Sequence, residues 1–261
     1  MALRPHRSKY WMHPQIDDWE EFAQRVEKTN GLYRDAARLE EMGIHVVSTD
    51  EKTGMQAKER IRDDIPARPG RTRCREYEYF RHGTLCLTAN LLVACGTVVA
   101  PTIGRTRKEE DFEAHVAQTV ATDPDAGWIF ILDNLNTHMS ERLVRRVAAL
   151  IGFEGELGGR RRQGILKNKH TRKAFLEDPT HRIRFHYTPK HCSWLNQVEI
   201  WFSKLQKGLL SNASFKSLAQ QEQAIRDFIF HHNTEANPYN WSADTDATLQ
   251  KIKNVLNAAI T

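Results

Sequence analysis

The sequence has few of the features that mark specialised protein classes. Its four cysteines, Cys74, Cys86, Cys95 and Cys192, form no C-x-x-C pair, so a structural zinc site is not expected. Cys86 and Cys95 fall in apolar, strand-like runs and read as buried small hydrophobes. The 12 histidines show no H-E-x-x-H or similar spacing and read as surface or loop residues. No apolar run approaches the ~20 residues of a membrane span. Behind Met1-Ala2-Leu3-Arg4-Pro5-His6-Arg7 there is no apolar core of a signal peptide, so a cytoplasmic location is expected. Acidic charge is also in deficit. Lys and Arg number 38 against 33 Asp and Glu, for a net charge of +5, which favours a polyanionic partner, nucleic acid first. The rest is ordinary: 261 residues, 40% hydrophobic and 27% charged, fit one large domain or two small ones.

What is there centres on Trp128-Ile129-Phe130-Ile131-Leu132-Asp133-Asn134. A short, unbroken apolar run of this kind is a strand buried on both faces, as in the middle of a mixed or parallel sheet. It stops at Asp133, and open α/β sheets bind ligands beyond the carboxyl ends of their strands. A second short strand, Ile44 to Glu51, also ends in acid. By alternation Val46, Ser48 and Asp50 share one face and Val47, Thr49 and Glu51 the other, so either acid could serve a site. A helix is expected from Ser193, as N-cap, to Leu210. Its apolar face is Trp194, Val198, Trp201, Phe202 and Leu205, and Glu199 lies in its second turn.

Between these landmarks the chain alternates. Residues 1–42 read as a polar helical segment with an acidic start at Asp17 and Asp18, a second stripe at Leu32, Ala36, Ala37 and Leu39, and a stop at Gly43. Residues 52–82 are rich in arginine and irregular around Pro66, Pro69 and Gly70. Strands at Thr84–Val93 and Thr97–Pro101 form a hairpin. Helices are expected at Arg107–Ala121 and Ser140–Ile151, a strand at Arg182–Tyr187, and helices at Phe215–Asn233 and in the tail. Residues 152–180 carry five glycines around Arg160, Arg161 and Arg162, then Lys167 and Lys169, and read as an insertion. Those bases, with Arg71, Arg73, Arg75 and Arg81 of the earlier run, are the candidates for contact with DNA phosphates.

Strand-acid, hairpin, helix, strand-acid, helix, strand, helix-acid is the order of a ribonuclease H-like domain, an α/β fold with a mixed sheet flanked by helices. Three carboxylates drawn together repel one another unless a cation neutralises them. Oxygen donors without His or Cys select Mg²⁺ or Mn²⁺, and two such ions support phosphoryl transfer.

The sequence resembles the DDE-type transposases of the insertion sequence 630 family, bacterial relatives of the mariner elements. Four stretches carry the resemblance: Ser48 to Gly54, Glu76 to Thr84, Leu132 to His138, and above all Tyr187-Thr188-Pro189-Lys190-His191-Cys192-Ser193-Trp194-Leu195-Asn196-Gln197-Val198-Glu199-Ile200-Trp201-Phe202. Asn233 and Asn237-Pro238-Tyr239-Asn240-Trp241 look like that family's C-terminal segment. The resemblance implies that Asp50, Asp133 and Glu199 are the catalytic acids and metal ligands for two Mg²⁺ or Mn²⁺ ions. It chooses Asp50 over Glu51, with Asn134, His138 and Asn196 in support. It implies cleavage and strand transfer at transposon ends, a homodimer on DNA, and a bacterial, nucleoid-associated protein. The expected layout is a helical segment over 1–42, a catalytic domain over 43–235 with an insertion at about 152–180, and a tail over 236–261. Two departures stand out. The stretch from Asp133 to Glu199 is longer than in mariner relatives, and too little chain precedes Asp50 for the helix-turn-helix region that reads inverted repeats. A host nuclease or resolvase of the same fold, or a non-catalytic DNA-binding remnant, are the alternatives.

Overall fold

The computed structural model describes residues 16–190, 192–242 and 244–258, with side chains to residue 254. Arg4, Arg7 and Lys9 of the N-terminal segment, and His191 of the last motif, lie outside the described residues.

A five-stranded sheet in the order β3-β2-β1-β4-β5 organises the chain. Its strands are β1 (Ile44–Arg60), β2 (Tyr79–Leu92), β3 (Val98–Gly104), β4 (Gly127–Leu132) and β5 (Ile183–Tyr187). The first three are an antiparallel meander, and β4 and β5 add to β1 in parallel. β4 is buried from Trp128 to Leu132, as a doubly covered strand must be. On one sheet face Val47, Trp128, Phe130, Leu132, Phe185 and Tyr187 pack against α2 (Glu109–Val120), α3 (Glu141–Ile151) and α4 (Lys169–Leu176). On the other, Val46, Ile129 and Ile131 meet α1 (Trp19–Glu41), and Leu85, Leu87, Ala89 and Leu91 meet α5 (Val198–Leu205) and α6 (Leu218–Thr234).

Local signals explain most of the ends. Asp18 caps α1 by accepting from the backbone N–H groups of Glu20 and Glu21. Ser140 caps α3, and Gly152 closes it in the left-handed conformation. Gly96, in the β2–β3 turn, has a positive φ and abuts the tail: a Cβ there would fall 2.1 Å from the carbonyl oxygen of Asn237. The tail then runs to α7 (Thr245–Ala258), which packs on α1.

Several sequence expectations are corrected. In the described part of the N-terminal segment, the helical pattern expected there forms one unbroken helix, Trp19–Glu41, which Asn30 and Tyr33 seat with bonds to Thr245 and Leu195. β1 does not stop at Glu51 but runs on to Arg60, since Met55 and Ala57 are buried and β2 pairs with it through register shifts near Lys52–Met55 and Gln56–Lys58. The glycine-rich stretch is not wholly an insertion outside the core: Leu166, Phe175 and Leu176 are buried in it. The expected helix from Ser193 is a 3₁₀ turn, Ser193–Leu195, then α5, then a π turn over Gln206–Leu210, and Trp194 is exposed. Ser193 therefore caps nothing, and Glu199 lies in the first turn of α5, not the second. Cys86 and Cys95 are only half-buried, whereas Cys192 is buried.

Candidate active site

Parallel register brings two acids together. The parallel pairing of β1 with β4 runs as far as Ser48 opposite Ile131. Two residues on stand Asp50, within β1, and Asp133, just past the end of β4, and neighbouring strands lie about 4.8 Å apart. The third acid arrives from α5, whose start is fastened to β1. The Val198 N–H donates to Ser48 Oγ at 2.9 Å, and the Ser48 hydroxyl itself donates to Asn196 Oδ1. A strand hydroxyl thus satisfies a free N–H at the start of α5 and fixes where Glu199 emerges.

Asn196 is buried and turns its amide to β1, donating to Thr49 O at 2.9 Å and to Asp50 Oδ2 at 3.1 Å. It thereby holds the carboxylate of Asp50. Burial pushes the Asp50 carboxyl up to about 7, and the charges of Asp133, Glu199 and Glu51 push the same way, against a 2.7 Å bond from the Glu51 N–H. Asp133 and Glu199 are thus near enough to Asp50 for their charges to contribute to its raised pKa.

Asp133 is half-exposed and has the opposite setting. Burial raises its carboxyl, but the His138 ring 2.8 Å away, the Leu135 N–H and the charge of Lys169 outweigh this and hold it low. His138 is fully buried, with its second ring nitrogen 3.2 Å from Glu51 Oε1. Burial lowers its pKa, yet the two carboxylates prevail and bring it up to about 9. The alternation along β1 is visible here. Asp50 faces Asn196, while Glu51, on the reverse face, meets His138. Glu51 is the site residue missed from sequence, although alternation had placed it on the far face.

The remaining expected residues are dispersed. Asn134 donates to Thr188 O and accepts from Lys173, tying the end of β4 to the end of β5. Lys169, at the start of α4, bonds Asn134 O and Asn136 Oδ1, which puts a cation at the rim beside Asp133. Arg160, Arg161, Arg162 and Lys167 are exposed in the loop before α4. Arg71, Arg73, Arg75 and Arg81 are exposed on or near the 61–78 arm, but partly engaged. Arg73 pairs with Asp64, Arg75 reaches Ser211 and Asn212, and Arg81 lies over Tyr79. A cleft of about 1030 Å³ runs under this arm, lined in part by Lys58, Arg60, Arg75, Tyr77 and Tyr79.

Carboxylate oxygens without thiolates suit a hard divalent cation such as Mg²⁺. The buried Asp50 carboxyl, whose pKa is raised first by burial and then by the charges of neighbouring acids, is of the donor type such an ion takes. Among the described residues no three His, Cys, Asp or Glu side chains are drawn tightly enough to cage one ion. Asp133 is turned onto His138, and Glu199 is exposed along a groove with Lys52, Phe202 and Lys207.

Sequence comparison matches residues 45–221 to the model of the DDE superfamily endonucleases. The chain belongs to that family. A comparison with curated proteins finds no sequence match. Among solved structures, the Mos1 mariner paired-end complex with Mn is similar, with a TM-score of 0.51 at 10% identity, covering 96% of this chain and 63% of that one. The same complex with Mg gives 0.51 at 12%, again over 96% and 63%. The Mos1 transposase paired-end complex with the left transposon end also gives 0.51 at 12% identity, over 96% and 63%. The chain is thus an α/β protein with the ribonuclease H-like fold of transposase catalytic domains, and it spans about 63% of the length of these relatives. Among the described residues no helix is long and apolar enough to cross a membrane.

Proposed function

We propose that the chain is the catalytic part of an insertion sequence 630-type transposase, a metal-dependent endonuclease and strand transferase acting on transposon ends. The observation that supports this reading is the layout of the three acids within the span matched to the endonuclease family: Asp50 on β1, Asp133 just past the neighbouring parallel strand, and Glu199 on the helix whose start is bonded to Ser48 of β1. Asp50 and Asp133 would hold both of two Mg²⁺ or Mn²⁺ ions, and Glu199 would complete the second. Such ions would supply polarisation of the scissile phosphate and would offset charge on the entering and leaving oxygens.

The chain's own residues do the positioning. Asn196 fixes the Asp50 carboxylate, and His138 orients Asp133 by holding one of its carboxylate oxygens. Lys169 offers a cation to the DNA backbone at the rim. Arg71, Arg73, Arg75 and Arg81, with Arg160, Arg161, Arg162 and Lys167, supply further phosphate contacts over a broader surface. In the first step water displaces the 3′ oxygen from phosphorus at the element's end. In the second, that freed 3′-hydroxyl attacks a phosphorus of target DNA and displaces the target strand's 3′ oxygen, which leaves as a new 3′-hydroxyl as the attacking hydroxyl gives up its proton. Joining two ends calls for a homodimer on DNA, working at the bacterial nucleoid. The layout follows: a helical segment over 1–42, the catalytic domain over 43–235, and the tail over 236–261.

The test is nicking of inverted-repeat DNA with Mg²⁺. Wild type should nick, and Asp133→Ala should not, while still shifting the DNA in a gel. Nicking by Asp133→Ala would remove the assignment. Preference for branched DNA would replace it with a resolvase. Salt-dependent binding without cleavage by wild type would replace it with a binding remnant.

A further inference from the structure

Glu51 has no part in the acid triad, yet it is among the best buried acids described, with a side chain 5% exposed. Burying a carboxylate is costly unless it is paired, and its side-chain partner is the His138 ring. That ring is itself fully buried, with Phe112 packed on it at 4.2 Å between centroids. Both ring nitrogens face carboxylates, Glu51 at 3.2 Å and Asp133 at 2.8 Å. Rotation of the ring would break both contacts at once, so Glu51 sets the ring's direction and the ring sets that of Asp133. The adjacent residues Asp50 and Glu51 therefore serve the site from opposite faces of β1.

We propose that Glu51 is a positioning residue, which through His138 aims the Asp133 carboxylate at the cation site. The proposal rests on the nuclease reading above. Second-sphere partners of this kind, when removed, typically cost about 10–100-fold in metal affinity or activity. Glu51→Gln keeps the size and an acceptor oxygen but withdraws the charge that balances the ring.

The experiment titrates the full chain with Mn²⁺, reading free ion by electron paramagnetic resonance, beside single-turnover nicking and DNA binding. Glu51→Gln should weaken Mn²⁺ binding and slow nicking by about tenfold or more, with DNA affinity and melting temperature near wild type. In a His138→Asn background the same substitution should add nothing, because the link is already cut; a merely structural acid would act independently. Mn²⁺ binding and nicking at wild-type levels in Glu51→Gln, or full additivity with His138→Asn, would overturn the proposal. If Glu51→Gln does not fold, Glu51→Asp, which keeps the charge but draws it back from the ring, carries the same test. Wild type that neither binds Mn²⁺ nor nicks would sink the nuclease reading itself, a result distinct from either.

Discussion

Asn196→Asp is the sharpest perturbation of the site. The change is isosteric, and one carboxylate oxygen can still accept from Ser48. The other replaces the amide that donates to Thr49 O and Asp50 Oδ2, so two bonds become two oppositions. Losing a donor to buried acceptors costs about 1–3 kcal/mol. Two like charges about 4 Å apart repel by about 4 kcal/mol at an effective dielectric near 20. A loss of about 5 kcal/mol at pH 8 follows, against a total stability of roughly 5–15 kcal/mol. At about 2–4 °C per kcal/mol for a chain of this size, melting should fall by at least ~10 °C. The sign with pH is fixed by Asp50. Its folded pKa is raised to about 7, so its contribution to stability is full below the unfolded value and lost as pH rises through 7. At pH 5 the new pair can hold a proton, and most of the repulsion should vanish. Differential scanning calorimetry at pH 5 and pH 8 measures both. Equal melting of variant and wild type at pH 8, or a deficit that does not shrink at pH 5, would refute the reasoning.

Two other outcomes are open to measurement. His115 and His186 are buried, and burial, with the charge of His138 on the first and Lys28 and Arg25 on the second, lowers each to about 3. Stability should therefore be present above the unfolded value of about 6.5 and fall as pH drops, by about 2 kcal/mol per histidine at pH 5; urea unfolding at pH 7 and 5 checks this, and a flat profile contradicts it. Arg160, Arg161 and Arg162 are exposed together, so replacing all three by Ala should reduce the log–log salt slope of DNA binding by up to about 2.7. Fluorescence anisotropy across salt concentrations would show it, and an unchanged slope would place the three off the DNA.

Much of the frame was readable from the chain alone, because its signals are local. Trp128 to Leu132 needs no partner to announce a strand covered on both faces, and Ser140 and Gly152 mark the ends of α3 by capping chemistry. Alternation put Asp50 and Glu51 on opposite faces without any coordinates. Elsewhere the local signal pointed the wrong way. Lys52, Thr53 and Gly54 look like the end of a strand, but pairing with β2 carries β1 across them to Arg60. The run from Ser193 looks like one helix, but Asn196 spends its side chain on β1 and breaks the run into a 3₁₀ turn and α5. Glycine and arginine around Arg160 conceal Leu166, Phe175 and Leu176, whose burial depends on neighbours distant in sequence.

The sequence by itself determined the buried β4 with an acid just past its end, the order of the elements and the basic charge, since periodicity and charge are properties of consecutive residues. Only the tertiary structure decided which residues each acid meets. Parallel register sets Asp50 beside Asp133, Ser48 fixes where Glu199 enters, and the buried His138 ring ties Glu51 to Asp133. Those assignments depend on distances between residues far apart along the chain, and such distances exist only once the core has packed.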